Sequence, residues 1–455
     1  MSSGTIDQGS SLKLDINYKS IIKIALPISL AMLVPQLNFV INNIFLGRLG
    51  ETELAIAGIT GVYYLIFGSV GYALNNGLQA LFARRAGSSQ ANAISSIFLQ
   101  GTYVAFFIAA IAFLCTYLVM PPIFHWILKD PELSDKAISF LKIRIWGLPF
   151  LYLFQIRNAL FVGINQSKWL IWGTTAETVI NIIFDYALIY GKFGLPELGF
   201  NGAAYASILA EFSGFLMLHI VMIRKDIQKN FRIKNFGRFE KATTFIVLSI
   251  SAPLIFQHAI SIITWEYFYI LIARNNSVAE LAASNTMRNM FGVFGVISWA
   301  FAATCNTMVS NIIGQGRQDE VFRIPVMIAR MSFGVITVLV LFLNLFPEFI
   351  LSIYGQDAQF MEVAIPILRV VTLAIWAMSI GTVWLFSVTG TGNSKVNLLI
   401  EVIAVIFYVV FSYIVLEKMQ LPAYIGWSVE WGYWLIMCGC SYWYMKSGRW
   451  KNKVI

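Results

Sequence analysis

Three polar residues stand four positions apart in the otherwise apolar stretch 172–191: Glu177, Asn181 and Asp185. On an α-helix this spacing places their side chains along one face, over about 12 Å at 1.5 Å of rise per residue. A carboxylate at the centre of a membrane helix costs about 2.5–3.5 kcal/mol, so such residues usually face a cavity or a partner. The pattern predicts that Asn181 and Asp185, with Glu177 as a third candidate, line an ion or substrate site. The structural alternative places Glu177 near the lipid headgroups and uses Asp185 to cap a neighbouring helix.

Amide side chains in the first apolar run can complete this site. Gln36, Asn38 and Asn42 lie there, and Asn38 and Asn42 share a helix face at i and i+4. An acid with amide oxygens around it suits a hard cation such as Na⁺, and equally a proton. We therefore predict a cation site at Asp185, Asn181 and Asn42, with Asp185 and Asn181 as the ligands of any sodium ion. The alternative is that these amides only pack helices together, at about 0.6 kcal/mol each.

The second half of the chain has an acid of its own. Glu266 lies among aromatic residues in an apolar run, and Arg288 lies a few residues into the next run. Glu266 is a secondary candidate for cation binding, and an ion pair with Arg288 is the structural alternative. Glu211, Glu401 and Glu430 read as lone acids within or near apolar runs. Glu211 is the most interior of them and joins the secondary candidates.

Composition sets the class of protein. Of the 455 residues, 58% are hydrophobic and only 12% are charged, about half the charged fraction of a soluble domain. The apolar runs are long enough to cross a hydrocarbon core of about 30 Å, and backbone in lipid must form helices. The net charge of +9 is spread over the loops between runs, which indicates orientation signals and no nucleic-acid partner. The sequence predicts an all-α integral membrane protein.

The apolar runs predict about twelve membrane-spanning helices, separated by clusters of turn residues. Their approximate bounds are 21–46, 54–82, 94–120, 137–164, 170–190, 200–223, 243–273, 281–313, 324–346, 363–388, 396–416 and 422–445.

The two halves of the chain repeat each other at a fixed offset. Pro27 matches Pro253 at an offset of 226. At 227, the matched pairs are Leu54 with Leu281, Gly87 with Gly314, Asp130 with Asp357, Gly163 with Gly390, and Ser167 with Ser394. Six spans in each half give two parallel repeats, as in some secondary transporters with a central cleft. We predict an N-lobe at residues 1–223, a basic cytoplasmic linker at 224–242 and a C-lobe at 243–455.

The two repeats differ at the polar residues of the predicted site. Asn181 corresponds to Tyr408 and Asp185 to Ser412, so the polar site belongs to the N-lobe alone. A requirement of the shared fold would recur in both lobes, and the asymmetry therefore favours a functional role.

Basic residues fall on one side of the predicted spans, which places both termini in the cytoplasm by the positive-inside rule. No phosphate-binding loop, metalloprotease motif or nucleophile elbow occurs in the required context. We therefore expect a protein that is not an enzyme and has no cofactor other than a coupling ion.

Several blocks of sequence, in this order, resemble the multidrug and toxic compound extrusion (MATE) family. The blocks are INNIFLGRLGETELAIAGI at 41–59, ARRAGSSQ at 83–90, RNALFVGINQSKW at 157–169, NIIFDYALIYGKFGLPELGFNGAAYAS at 181–207, LSISAPLIFQ at 248–257, ELAASN at 280–285, IIGQGRQDE at 312–320 and VTGTGNSKVN at 388–397.

This resemblance implies an antiporter of the cytoplasmic membrane that exports amphipathic organic cations in exchange for H⁺ or Na⁺, working as a monomer. Bacterial members use an acid late in helix one with an Asn and an Asp of helix five. Asn181 and Asp185 match the latter pair, whereas Asn42 stands at the helix-one position. That difference removes one of two expected negative charges and leaves Asp185 as the titrating group. Glu266 is similar to the helix-seven acid of other branches, whose helix-ten acid is absent here.

Two other readings remain open. A flippase of the same superfamily would carry a lipid-linked precursor and line its path with Arg or Lys, for which Arg144, Arg157 and Arg288 are the candidates. A non-transporting membrane scaffold would keep the fold without the site, but retained Asn181, Asp185 and Glu266 argue against it.

Overall fold

The computed structural model describes residues 12–128, 130–233, 237–352 and 358–453, without the side chains at 37–40, 43, 44, 51, 54, 55, 358 and 359. These residues form helices and connecting turns, with no β-strand among them. The helices of the first half are α1 (Tyr18–Gly47), α2 (Glu51–Gly87), α3 (Ala91–Leu114), α4 (Met120–Ile127), α5 (Pro131–Arg144), α6 (Leu148–Gly163), α7 (Leu170–Tyr190), α8 (Gly199–Arg224) and α9 (Ile227–Asn230).

The helices of the second half follow the same order of long elements. They are α10 (Lys241–Asn275), α11 (Val278–Gly314), α12 (Arg323–Leu345), α13 (Pro347–Ser352), α14 (Ala358–Thr391), α15 (Ser394–Ser412), α16 (Ala423–Gly426) and α17 (Val429–Ser447). Short 3₁₀ or π turns join several of them, at Cys115–Val119, Ile145–Gly147, Ser167–Trp169, Gln318–Glu320 and Tyr413–Lys418.

Ten of the described helical segments are long and apolar enough to cross a membrane. The two remaining helices at predicted spans are α7 and α17, and both carry acids. These acids lower the mean hydropathy of the two helices. Asp185 of α7 and Glu430 of α17 are both buried in the protein, as is usual for charged residues within membrane-spanning segments. The predicted span 170–190 coincides with α7, whereas the predicted span 422–445 is divided between α16 and α17.

The chain forms two compact units. One comprises Leu26–Ser251, and the other comprises Lys13–Ala25 with Ala252–Ile455. Within the second unit, the segment Lys13–Ala25 contacts α11, because the Leu14 amide donates to Asn311 Oδ1 at 3.0 Å. The side chain of Gln315 donates to the Leu14 carbonyl at 2.9 Å. The division into lobes and linker at 223 and 242 stays a prediction.

Candidate functional site

Helix α7 carries the polar residues of the N-lobe and packs closely on α8. A Cβ placed on Gly202 of α8 would lie 2.6 Å from the Leu188 carbonyl oxygen, and one on Gly173 would lie 2.6 Å from Leu218 Cγ. Small residues at these crossings let the two backbones approach, as is common between membrane helices. Helix α7 ends at Tyr190, and the next residue, Gly191, has a φ of +63°, a left-handed conformation that glycine adopts without steric cost. Its polar face is therefore held in a fixed register.

The predicted partners meet on this face. The Nδ2 group of Asn42 on α1 donates to Oδ1 of Asn181 on α7 at 3.0 Å. One turn further along α7, Asp185 is only 1% exposed. A second bond joins the same two helices, because the Tyr190 hydroxyl donates to the Phe45 carbonyl at 2.8 Å. The structure thus brings Asn42 and Asn181 together, and the buried Asp185 lies one helical turn from Asn181 on the same face of α7.

The other N-lobe candidates lie apart from this crossing or outside the description. Glu177 is half-buried, and its carboxylate lies against α8, where a Cβ on Gly214 would come within 3.3 Å of Glu177 Oε2. Gln36 is half-buried on α1, whereas the side chain of Asn38 is outside the described residues.

Glu211 on α8 is not a lone acid, as the sequence suggested, but half of a buried ion pair. The Nη1 group of Arg144 donates to Glu211 Oε2 at 2.8 Å, and Nη2 donates to Oε1. The hydroxyl of Tyr64 donates to the same carboxylate at 3.0 Å, and its ring lies 3.7 Å from the Arg144 guanidinium carbon. A bidentate guanidinium–carboxylate pair of this kind fixes the orientation of both side chains.

The remaining basic candidates contact aromatic rings. Arg157 lies 4.4 Å from the ring centre of Phe215 and donates to the Leu153 carbonyl. Arg288 lies 5.0 Å from the ring centre of Tyr269. Among the described side chains, Arg288 and Glu266 form no ion pair with each other, so the pairing considered from the sequence is wrong.

Sequence reasoning also missed what surrounds Glu401 and Glu430, which are not lone acids either. Glu401 on α15 is 1% exposed and accepts hydrogen bonds from Gln257, Ser261 and Tyr433. Glu430 on α17 accepts from the Tyr408 hydroxyl at 3.0 Å and from the Trp434 indole at 3.1 Å. The sequence signal for both acids was only their position in an apolar run. Their hydrogen-bond partners lie on other helices, except Trp434, which lies one helical turn from Glu430.

Comparison with known proteins identifies the family. The MatE family model matches the chain twice, at residues 27–187 and 253–414. The starts of these matches differ by 226 and the ends by 227, as the internal repeat predicted. The chain belongs to the MatE family. It is therefore a multi-pass membrane transporter of the MATE group and not an enzyme.

Curated relatives of this MatE protein are distant but cover most of the chain. A probable multidrug resistance protein NorM from Thermotoga maritima is 23% identical over 392 residues, which is 85% of this chain and 83% of that protein. A multidrug resistance protein MdtK from Yersinia enterocolitica is 24% identical over 67% of each chain.

Solved structures share the fold of this MatE chain. An outward-facing multidrug resistance MATE family transporter of the MOP superfamily matches with a TM-score of 0.87 at 16% identity, over 98% of this chain and 99% of that one. A MOP superfamily transporter from Pyrococcus furiosus, described as having a binding pocket of reversed polarity, matches with a TM-score of 0.88 at 15% identity over the same shares. The prediction of about twelve membrane helices in two lobes is confirmed.

Family membership also indicates how transport is driven. Ion-coupled antiport is the general property of MATE proteins, and they need no prosthetic cofactor. Among the residues that the structure describes, no three or more His, Cys, Asp or Glu side chains are grouped so that they could hold a metal ion.

Proposed function

We propose that this protein is a secondary antiporter that exports amphipathic organic cations across the cytoplasmic membrane in exchange for H⁺ or Na⁺, by alternating access. The supporting observation is the crossing of α1 and α7, where Asn42 bonds to Asn181 and Asp185 is buried one turn away. A buried carboxylate beside two amides binds one monovalent cation at a time, because one positive charge neutralises it.

The charge of this site decides its ion chemistry. With Asn42 at the helix-one position, Asp185 is the one acid of the triad. A proton needs a single oxygen of Asp185, whereas a sodium ion needs several oxygen ligands, which the amide oxygens of Asn42 and Asn181 would supply beside the carboxylate. Binding of the ion removes the negative charge of the site, and the organic cation then loses an attractive partner and is released.

The organic-cation substrate is supported by relatives named as multidrug resistance proteins. Transport of an anionic lipid-linked precursor is less well supported, because one of the basic candidates, Arg144, is already neutralised by Glu211. Arg157 packs on Phe98 and Phe215, which makes it part of the helix packing. We further propose that both termini lie in the cytoplasm and that the protein works as a monomer.

The test is efflux of ethidium, a fluorescent organic cation, in everted membrane vesicles under separately imposed proton and sodium gradients. We expect one gradient to drive ethidium movement by the wild type and Asp185→Asn to lose this coupling. In electroneutral exchange of one proton, a gradient of one pH unit sustains about a tenfold ethidium gradient, since tenfold corresponds to about 1.4 kcal/mol. The matched control is Asp135→Asn, an exposed acid.

Two results would overturn the proposal. If neither gradient moves ethidium or other organic cations in vesicles that contain the folded protein, the antiporter assignment fails. If Asp185→Asn behaves like the wild type and like Asp135→Asn, the assignment of the ion site to α7 fails while antiport itself stands.

A further inference from the structure

Three helices of the second compact unit converge on one carboxylate. Glu401 on α15 accepts a hydrogen bond from Gln257 Nε2 at 3.2 Å and from the Ser261 hydroxyl, both on α10. The Tyr433 hydroxyl on α17 donates to the same carboxylate at 2.6 Å. Gln257 and Ser261 are one helical turn apart, so one face of α10 supplies both donors.

The three partners share a chemical property that an Arg or Lys partner lacks. A serine or tyrosine hydroxyl and a glutamine amide can each donate or accept a hydrogen bond. When Glu401 is ionised, all three can donate to it across the contacts described above. When Glu401 is protonated, it becomes a donor itself, and rotation of one hydroxyl or of the amide provides the acceptor. In either state each member of the cluster can keep at least one hydrogen bond within it, which limits the cost of about 1–3 kcal/mol of an unsatisfied buried group.

The charges around Glu401 do not lock either state. On α17, the titratable groups near Tyr433 are Glu430, about one turn before it, and Cys438, five residues after it. A further titratable group, Tyr408, lies on α15 itself. Tyr408 and Tyr433 pack edge to face with ring centres 5.7 Å apart. On α10, His258 adjoins Gln257, and Glu266 follows Ser261. Helix α14 also packs on α15, and its two charged residues, Glu362 and Arg369, lie in its N-terminal half. Among the described residues, Glu401 forms no ion pair.

We propose that Glu401 is a proton-binding site of the second half of the protein, separate from Asp185, at which Gln257, Ser261 and Tyr433 exchange donor and acceptor roles as the proton enters and leaves. The step forms one O–H bond on a carboxylate oxygen of Glu401, with the proton supplied by water and no electron transferred. Because the partners come from α10 and α17, the protonation state of Glu401 sets the hydrogen bonding between these helices and α15.

Two other buried acids have different partners, which makes the proposal specific to Glu401. Glu211 is held by Arg144, which only donates and keeps its charge. Glu430 is held by Tyr408 and by the indole of Trp434, and an indole N–H only donates. Of these three acids, Glu401 alone has partners that can all reverse their roles.

The experiment is pH-titrated infrared difference spectroscopy of the purified full-length protein in lipid nanodiscs, which detects the C=O stretch of a protonated carboxyl group. The starting variant is Asp185→Asn, so that the readout does not depend on the N-lobe site or on transport. Between about pH 4 and pH 10, the range of ordinary carboxyl to tyrosine pKa values, we expect this variant to keep a titrating carboxyl band. Adding Glu401→Gln removes the band, whereas adding Glu430→Gln retains it.

A second variant keeps the test decisive if the Glu401→Gln protein fails to fold. Tyr433→Phe retains the carboxyl group and removes one reversible partner, so we expect the band to remain but to change in frequency and in titration midpoint. The proposal is overturned if folded Asp185→Asn/Glu401→Gln titrates as Asp185→Asn does. It is equally overturned if Tyr433→Phe leaves both the frequency and the midpoint of the band unchanged. Neither result depends on whether organic cations are transported.

Discussion

Glu211 and Glu401 are both buried acids on long helices, one in each compact unit, and they have opposite surroundings. Glu211 is bound by a guanidinium in a bidentate pair and by Tyr64. Glu401 is bound by an amide and two hydroxyls. A guanidinium keeps its charge and only donates, so it fixes the state of its carboxylate, whereas neutral partners that can also accept permit a change of state. We therefore expect the hydrogen-bond partners of a membrane-buried acid to determine whether it has a structural role or binds a proton.

The largest expected effect comes from breaking the fixed pair. Arg144→Met leaves the Glu211 carboxylate buried beside Tyr64 without its cation. Removing one partner of a buried pair costs about 3–5 kcal/mol, so we expect a large fall in the thermal unfolding temperature of the purified protein, or failure to accumulate in the membrane.

The control for this prediction is the double variant Arg144→Met/Glu211→Gln, which removes both charges together. We expect it to recover most of the lost stability, because replacing a buried ion pair by neutral groups is often tolerated. Equal instability of the single and double variants would show that packing, and not the unpaired charge, holds this region together.

A smaller effect is expected at the reversible site. Tyr433→Phe removes one of three donors to Glu401 and leaves two, so it costs about 1–3 kcal/mol, in the range for loss of one hydrogen bond to a buried charged group. Measuring the thermal unfolding temperatures of Tyr433→Phe and Arg144→Met under the same conditions tests which variant loses more stability. A loss as large as that of Arg144→Met would mean that Glu401 is as rigidly fixed as Glu211.

The N-lobe site can be sharpened by adding a charge. Asn42→Asp places a second carboxylate beside Asn181, and two like charges at this crossing attract a metal cation more strongly. Under conditions in which a sodium gradient drives efflux, we expect the sodium concentration for half-maximal ethidium efflux to fall by about tenfold, corresponding to about 1.4 kcal/mol. Asn42→Ser, which is polar but neutral, is the matched control. An unchanged sodium dependence in Asn42→Asp would mean that Asn42 is a packing residue.

The smallest effect is expected at Glu240, a solvent-exposed acid that accepts hydrogen bonds from two side-chain hydroxyls. Glu240 precedes α10, and the hydroxyls of Ser96 and Thr243 donate to it and lower its pKa below the ordinary value of 4.5. A lowered pKa in the folded state means that this contribution to stability is present above about pH 4.5 and is lost as the pH falls through the folded-state pKa. Glu240→Gln should therefore unfold slightly more easily than the wild type at pH 7.

The difference in thermal unfolding temperature between Glu240→Gln and the wild type should shrink as the pH is lowered below 4. Glu197→Gln is the control, because Glu197 is a loop acid for which no hydrogen-bond partner is described. A difference that is constant with pH would show that the two hydroxyls do not favour the ionised form.

The sequence predicted the helices well and the pairing of side chains across helices poorly. The bounds of α7 follow from turn residues on each side, and the spacing of Asn181 and Asp185 follows from helical geometry, so both were predictable. The Arg144–Glu211 pair joins residues 67 positions apart, and Gln257 and Glu401 are 144 apart. Which helices are neighbours decides such pairs, and one sequence carries no signal for that choice. The same limit explains why Arg288 was considered for Glu266 when it contacts Tyr269.

The most direct test of the account is ion movement driven by substrate in liposomes that contain only this protein. An imposed ethidium gradient is the driving force, and fluorescent indicators inside the liposomes report H⁺ and Na⁺ separately. We predict that ethidium drives counter-movement of one ion by the wild type and by Arg144→Met/Glu211→Gln, and that Asp185→Asn abolishes it. The account is contradicted if Asp185→Asn moves the ion at the wild-type rate, or if the folded double variant, with Asp185 intact, moves none.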